Sequence, residues 1–169
     1  MRKVIVYFHG FGSSPDSDKV ERLKVSGAEV FAYPIDVDPR VSIPSLEHNI
    51  DMMLLDDVNR DMDLTFVGTS LGGWYAGVLG AKYACKRVLI NPCIDLQNSL
   101  LKYALSSEVL VQYKALELTP HAKYHISIHD EVINFAPYMN ELAKFDTTFY
   151  DTTGHRFNGP EFDVLAKTL

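Results

Sequence analysis

The chain has 169 residues, 47% of them hydrophobic and 22% charged, with a formal net charge of -6. That is the composition of a globular chain, long enough to bury a core without disulfides or metal, and its negative balance argues against a nucleic-acid surface or an anionic membrane surface as main partner. The same average disfavours anionic substrates, unless charge is arranged locally to override it.

Lys3 to Phe8 is β-branched, aromatic and almost wholly apolar, which is how a strand buried on both faces reads. His9 to Pro15 follows, rich in turn residues. Asp16 to Ser26 is expected to be a helix, with Val20, Leu23 and Val25 as inward positions and Gly27 as its stop. Ala28 to Tyr33 is a second strand, and Pro34 to Pro44 a loop. Ser45 to Val58 carries apolar residues at 46, 50, 53, 54 and 58, a helical stripe. Asp63 to Val67 is a third strand, Leu71 to Ala84 a third helix and Lys86 to Ile90 a fourth strand. Asn91 to Pro120 has apolar residues at helical spacings and no clear strand. Lys123 to Ile128 reads as a fifth strand, Asn134 to Lys144 as a helix and Thr147 to Tyr150 as a sixth strand. Pro160 to Leu169 is a closing helix with Pro160 in its first turn. Alternating strands and helices imply a parallel sheet covered on both faces, in a single domain over residues 1–169. In such sheets, functional residues lie just beyond the carboxyl ends of strands.

That rule selects a short set. His9-Gly10-Phe11-Gly12 follows the first strand, Ser70 the third, His129-Asp130-Glu131 the fifth and Asp151 to His155 the sixth. A serine, an acid and a histidine thus occur in that order. A serine hydroxyl is a poor nucleophile until a base removes its proton. Histidine titrates near neutrality and returns that proton to a leaving group. A carboxylate behind the histidine fixes its tautomer, and the oxyanion that forms needs preorganised N–H donors. Gly68-Thr69-Ser70-Leu71-Gly72 follows a strand and opens a helix, the setting of a nucleophile elbow. The Leu71 N–H is then one oxyanion donor, and the loop after the first strand supplies the other, best assigned to Phe11.

Four blocks carry a resemblance: His9-Gly10-Phe11-Gly12-Ser13-Ser14-Pro15, Gly68 to Gly73, Asp130-Glu131-Val132 and Gly154-His155-Arg156-Phe157. In order and over nearly the whole chain, they resemble the signature blocks of the YqiA-like bacterial esterases. The resemblance implies an α/β-hydrolase fold and serine esterase activity on small acyl esters, with Ser70 as nucleophile, Asp130 as acid and His155 as base. The chain departs from the family pattern at Gly12, Trp74 and His129, where asparagine, tyrosine and glycine are usual.

Other assignments compete. Glu131 is the rival to Asp130 as acid; position after the strand favours Asp130, with Glu131 a solvated loop residue. His9 is read as shaping the oxyanion loop. His121, His125 and His129 recur at a spacing that holds zinc on a helix, but the segment reads as a strand. Arg156 could bind a substrate carboxylate, though an ion pair with a neighbouring acid is preferred.

The expectation is therefore a three-layer α/β-hydrolase fold with six mainly parallel strands in the order 2-1-3-4-5-6. A short helical cap over residues 94–120 is expected, with some of its side chains lining an acyl pocket that has Phe11 and Trp74 as neighbours. No cofactor or metal is called for. An acyl thioesterase using the same groups and a non-catalytic binding protein on this scaffold are the alternatives. No apolar run approaches the ~20 residues of a bilayer span, and no signal pattern precedes the first strand. Cys85 and Cys93 read as reduced packing residues. A cytoplasmic monomer or weak homodimer acting on a small-molecule ester is expected.

Overall fold

A computed structural model describes residues 1–56 and 61–169. Among them are six strands: β1 (Arg2–Phe8), β2 (Glu29–Ala32), β3 (Met62–Thr69), β4 (Lys86–Ile90), β5 (Ala122–Ser127) and β6 (Asp146–Tyr150). They form one sheet in the order β2-β1-β3-β4-β5-β6, the order expected, and every pairing in it is parallel. Helices α1 (Asp18–Lys24), α2 (Pro39–Asp56), α3 (Leu71–Lys82), α4 (Ser107–Leu110), α5 (Met139–Leu142) and α6 (Pro160–Thr168) connect or follow the strands.

The apolar run of β1 is explained by two cores. Val4, Val6 and Phe8 point to one face, where they pack with Leu46, Ile50 and Met53 of α2 and with α3. Ile5 and Tyr7 point to the other, against Val20 and Leu23 of α1 and Phe162 and Leu165 of α6. Successive side chains of a strand face opposite ways, so only a strand covered on both sides needs apolar residues at every position. Each fully buried aliphatic or aromatic side chain contributes roughly 1.5–3 kcal/mol.

Three expectations are corrected. The loop 34–44 is shorter than expected, because α2 begins at Pro39. Asp38 caps it: its Oδ1 accepts the Arg40 N–H at 2.9 Å, and its carbonyl accepts those of Val41 and Ser42. Pro39 takes the first helical position, where its missing N–H costs nothing. Pro44 sits inside the helix and forgoes a single bond to the Arg40 carbonyl. The inward positions Leu46, Ile50 and Met53 are buried; Val58, assigned to the same stripe, lies outside the described residues. Second, Val25 is 69% exposed, since α1 ends at Lys24 before the stripe returns. Third, the helix expected over 134–144 is two short pieces, a 3-10 turn at Ala136–Tyr138 and α5.

After β4 come short helical turns, Leu96–Asn98, Leu100–Ala104 and α4, and the chain then returns along α3, where Leu116 lies against Gly77, to the start of β5. The segment is clipped to the loop after β5 by an antiparallel bridge between Ser99 and Ile133. The Leu100 N–H donates to the Val132 carbonyl at 2.9 Å within that clip. No helix among the described residues is long and apolar enough to cross a membrane.

Candidate active site

Because the sheet is parallel, the loops leaving β1, β3, β5 and β6 meet at one edge, and their residues converge there. Ser70 stands between β3 and α3 with φ 56 and ψ -122, a region that non-glycine residues rarely occupy and that persists only when its surroundings fix it. Here they do. The Ser70 N–H donates to the Ile90 carbonyl at 3.0 Å, and the Ser70 carbonyl accepts N–H groups of Gly73 and Cys93 at 2.9 Å. The flanking glycines are required by close approach: a Cβ on Gly68 would collide with the Gly72 backbone, and one on Gly72 with the carbonyls of Phe8 and His9.

Ser70 Oγ lies 2.8 Å from His155 Nε2. His155 Nδ1 lies 2.8 Å from Asp130 Oδ2 and 3.0 Å from Oδ1. The tautomer that satisfies all three groups has Nδ1–H donating to Asp130 and Nε2 accepting from the serine hydroxyl. The Asp130 side chain is 1% exposed and that of His155 12%. Asp130 Oδ1 also accepts the Val132 and Ile133 N–H groups at 2.8 and 2.7 Å. The three residues that the sequence singled out are thus joined in one hydrogen-bonded line, from loops far apart in the chain.

Leu71 opens α3, so its N–H has no intrahelical acceptor and is left beside Ser70. Gly10 lies against the serine; a Cβ there would be 3.3 Å from Ser70 Cβ. Phe11 follows it and lines a cavity of about 420 Å³ with Ser70, His155, Leu101 and Val132. Gly12 has φ +69, a left-handed conformation that glycine adopts freely and asparagine tolerates best among other residues, which accounts for the exchange at this position.

His9 is buried, its Nδ1 3.0 Å from the Gly10 carbonyl. Its Nε2 accepts the Ile35 N–H at 3.2 Å, so Nδ1 carries the proton and the ring is neutral. Burial pushes its pKa below the ordinary histidine range. The ring ties the loop after β1 to the one before α2, as expected of a shaping residue. Tyr7, at the cavity floor, donates to or accepts from Thr69 Oγ1 at 2.9 Å, and burial pushes its pKa up to about 12. Cys93 is buried behind Ser70, its thiol pushed up by burial to about 12, so it offers no competing thiolate. Both cysteines are free.

Three expectations change. Glu131 is exposed but not merely solvated: its Oε2 accepts the His155 N–H at 3.0 Å, and that bond holds the carboxyl below the ordinary glutamate range. Trp74 does not line the cavity over Ser70; it is buried against Tyr75 and Tyr113, and its indole N–H donates to the Lys114 carbonyl at 2.8 Å. Arg156 has no carboxylate within 4.0 Å among the described residues, so the ion pair expected for it is not formed. His121 precedes β5, His125 lies on it and His129 follows it, so extended backbone separates them. Among the described residues no group of three or more His, Cys, Asp or Glu is placed to hold a metal.

Sequence reading missed one organising residue. Asn91 follows β4 directly, is wholly buried and has φ 42. Its Nδ2 donates to Ser127 Oγ and to the carbonyls of Gly154 and His155, at 3.0–3.2 Å. Its Oδ1 accepts the Ser127 N–H at 2.7 Å. The strand-end rule would have found it, but an asparagine has no evident part in serine chemistry.

The architecture matches solved α/β-hydrolases. An α/β serine hydrolase homologue from Coxiella burnetii aligns with a TM-score of 0.70 at 13% identity, covering 99% of this chain and 84% of that one. An esterase from Pyrococcus furiosus aligns at 0.72 and 16%, covering 98% and 78%. At such identities the likeness is one of fold, and the fold is that of the α/β-hydrolases. Among sequences, a UPF0227 protein of Shewanella woodyi is 33% identical over 183 aligned positions, covering 98% of this chain and 95% of its own. With the model of the uncharacterised protein family UPF0227 matching residues 4–164, the chain belongs to that family, the YqiA-like family its four sequence blocks resemble.

Proposed function

We propose that the protein is a serine esterase that hydrolyses small acyl esters through an acyl-enzyme. The observation that carries this reading is the unbroken line from Ser70 Oγ through His155 to Asp130, with 2.8 Å at each join. Ser70 Oγ attacks the ester carbonyl while His155 Nε2 takes its proton. The charge on the carbonyl oxygen is met by the N–H groups of Phe11 and Leu71. The bond to the leaving oxygen then breaks, and His155 gives the proton to the departing alcohol. Water, deprotonated by His155, cleaves the Ser70 ester and restores the enzyme. Asp130 holds the ring and balances its charge in both halves.

In this reading residues 1–169 are one catalytic domain, and residues 94–120 are a short cap that brings Leu101 to the acyl side of the cavity. The free cysteines suit a reducing compartment, and the cytoplasm is the proposed location. The esterase among the structural neighbours supports the class of reaction.

The test is labelling by a fluorophosphonate, located by mass spectrometry, with turnover of short acyl esters beside it. The expected result is an adduct on Ser70 that is absent from Ser70→Ala, and a loss in that variant of roughly a thousandfold or more in kcat. Wild-type turnover by Ser70→Ala would overturn the mechanism. Matched oxygen esters and thioesters then decide between esterase and thioesterase by their kcat/KM.

A further inference from the structure

The cavity beside Ser70 has a wall that the proposed chemistry does not use. Lys19, Arg156 and Asn158 form it. Lys19 is only 9% exposed; its ammonium donates to Asn158 Oδ1 and lies 5.5 Å from the centre of the Phe162 ring. Neither Lys19 nor Arg156 has a carboxylate within 4.0 Å among the described residues. Asp18 lines the cavity and acts on Lys19, but it is shared with Arg22 at 3.7 Å; Glu131 acts on Arg156, but its Oε2 is taken by the His155 N–H. Arg22 in turn is held by Asp163 at 2.6 Å. Burial pushes the Lys19 amine below the ordinary lysine range, against the opposing pull of Asp18. A desolvated cation without a close counter-ion is costly, and here buried Lys19 and exposed Arg156 line one cavity with a single carboxylate, Asp18, in a chain of net charge -6. The local excess of positive charge overrides the average that disfavours anionic substrates.

The side of the cavity follows from the chemistry. His155 must face the leaving oxygen to return its proton. Arg156 and Asn158 continue the same loop, and Lys19 is bonded to Asn158. The cationic wall therefore stands beside the leaving group, while Leu101 and Val132 offer apolar surface elsewhere in the cavity. Resting on the serine-esterase reading, we infer that the substrate is an ester or thioester whose alcohol or thiol part carries an anionic oxygen group, seated by Lys19 and Arg156. Arginine's planar fork suits such a group, with the lysine as a second point charge.

The butyryl esters of 4-hydroxyphenylacetate and 4-hydroxyphenylacetamide test this, since they share an acyl group and closely similar phenols but differ in charge. The butyryl ester of 4-hydroxybenzylphosphonate separates a phosphate-like group from a carboxylate. The expected kcat/KM favours the anionic esters by about tenfold or more, the effect of one charge-assisted hydrogen bond. The ratio shrinks with salt and falls towards one in Lys19→Met and Arg156→Gln. Arg156 is exposed, so its variant serves if Lys19→Met does not fold. Turnover of the neutral ester with a ratio of one or below overturns the anion seat and leaves the esterase standing. A ratio that persists in both variants also overturns it. A charge preference seen only with 4-nitrophenyl hemisuccinate over the butyrate overturns the assignment to the leaving-group side. No turnover of any ester, with no label on Ser70, sinks the hydrolase reading and this inference with it.

Discussion

At the scale of the residue, Ser70 shows how strain is held. Its φ of 56 costs of order 1–3 kcal/mol, and the bonds to Ile90, Gly73 and Cys93 offset that cost. The glycines at 68 and 72 were legible in the sequence as small residues around a turn. What each one touches was not, because Gly72 lies on β1, more than sixty positions earlier. Asp130 is the second case. Its Oδ1 is anchored by two backbone N–H groups, so its grip on His155 Nδ1 is fixed before substrate arrives. Under the proposed mechanism Asp130→Asn should lower kcat by roughly 10³–10⁴-fold, by favouring the wrong histidine tautomer. Steady-state kinetics on a short acyl ester checks this, and a change below tenfold would return Glu131 to consideration as the acid.

At the scale of the element, the site depends on how strand ends are tied together. Asn91 joins the ends of β4 and β5 to the loop carrying His155, and Ser127 Oγ adds a bond to Thr153 Oγ1 at 2.6 Å. Asn91→Ala would strand the Ser127 N–H and the His155 carbonyl and force alanine to φ 42. The expected loss is about 2–4 kcal/mol of unfolding free energy, read from urea titration, with weaker turnover in whatever remains folded. Alternation of strands and helices was readable from periodicity, and helix ends less so. The segment from Pro34 to Pro44 reads as a loop, yet the Asp38 cap and Pro39 start α2 ahead of Pro44. The clip between Ser99 and Ile133 was invisible in sequence, since a single antiparallel bridge leaves no periodic mark.

At the scale of the whole molecule, the sheet buries titratable groups along with its core. His125 sits on β5 with Nδ1 2.8 Å from the Tyr150 hydroxyl, and burial lowers its pKa to about 4. The unfolded chain, with an ordinary histidine near 6.5, binds the proton more readily than the folded one below that pH. Stability is therefore complete above pH 6.5, declines as pH falls from 6.5 towards 4, and stops declining on this account below 4. The loss amounts to about 3 kcal/mol, and His9, lowered for the same reason, adds to it. Urea midpoints measured from pH 7.5 to 4 should show the decline, and His125→Phe should flatten part of it. An unchanged slope in that variant would exclude His125 as a source.

The sequence by itself determined the class of fold, the order of strands and the residues to watch. The alternation of strands and helices and the residues to watch follow from local causes, namely strand and helix periods, glycines at a turn and the rule that parallel strands end at the site; the α/β-hydrolase fold and its strand order follow from the resemblance to a known family. Only the tertiary structure decided which groups touch: that His155 spans Ser70 and Asp130, that Asn91 holds its loop, and that Lys19 faces the cavity with no carboxylate within 4.0 Å among the described residues. Such contacts join positions as much as 141 residues apart, as Arg22 and Asp163 are. Their geometry is set by how the sheet twists and packs its loops, and no local pattern records it.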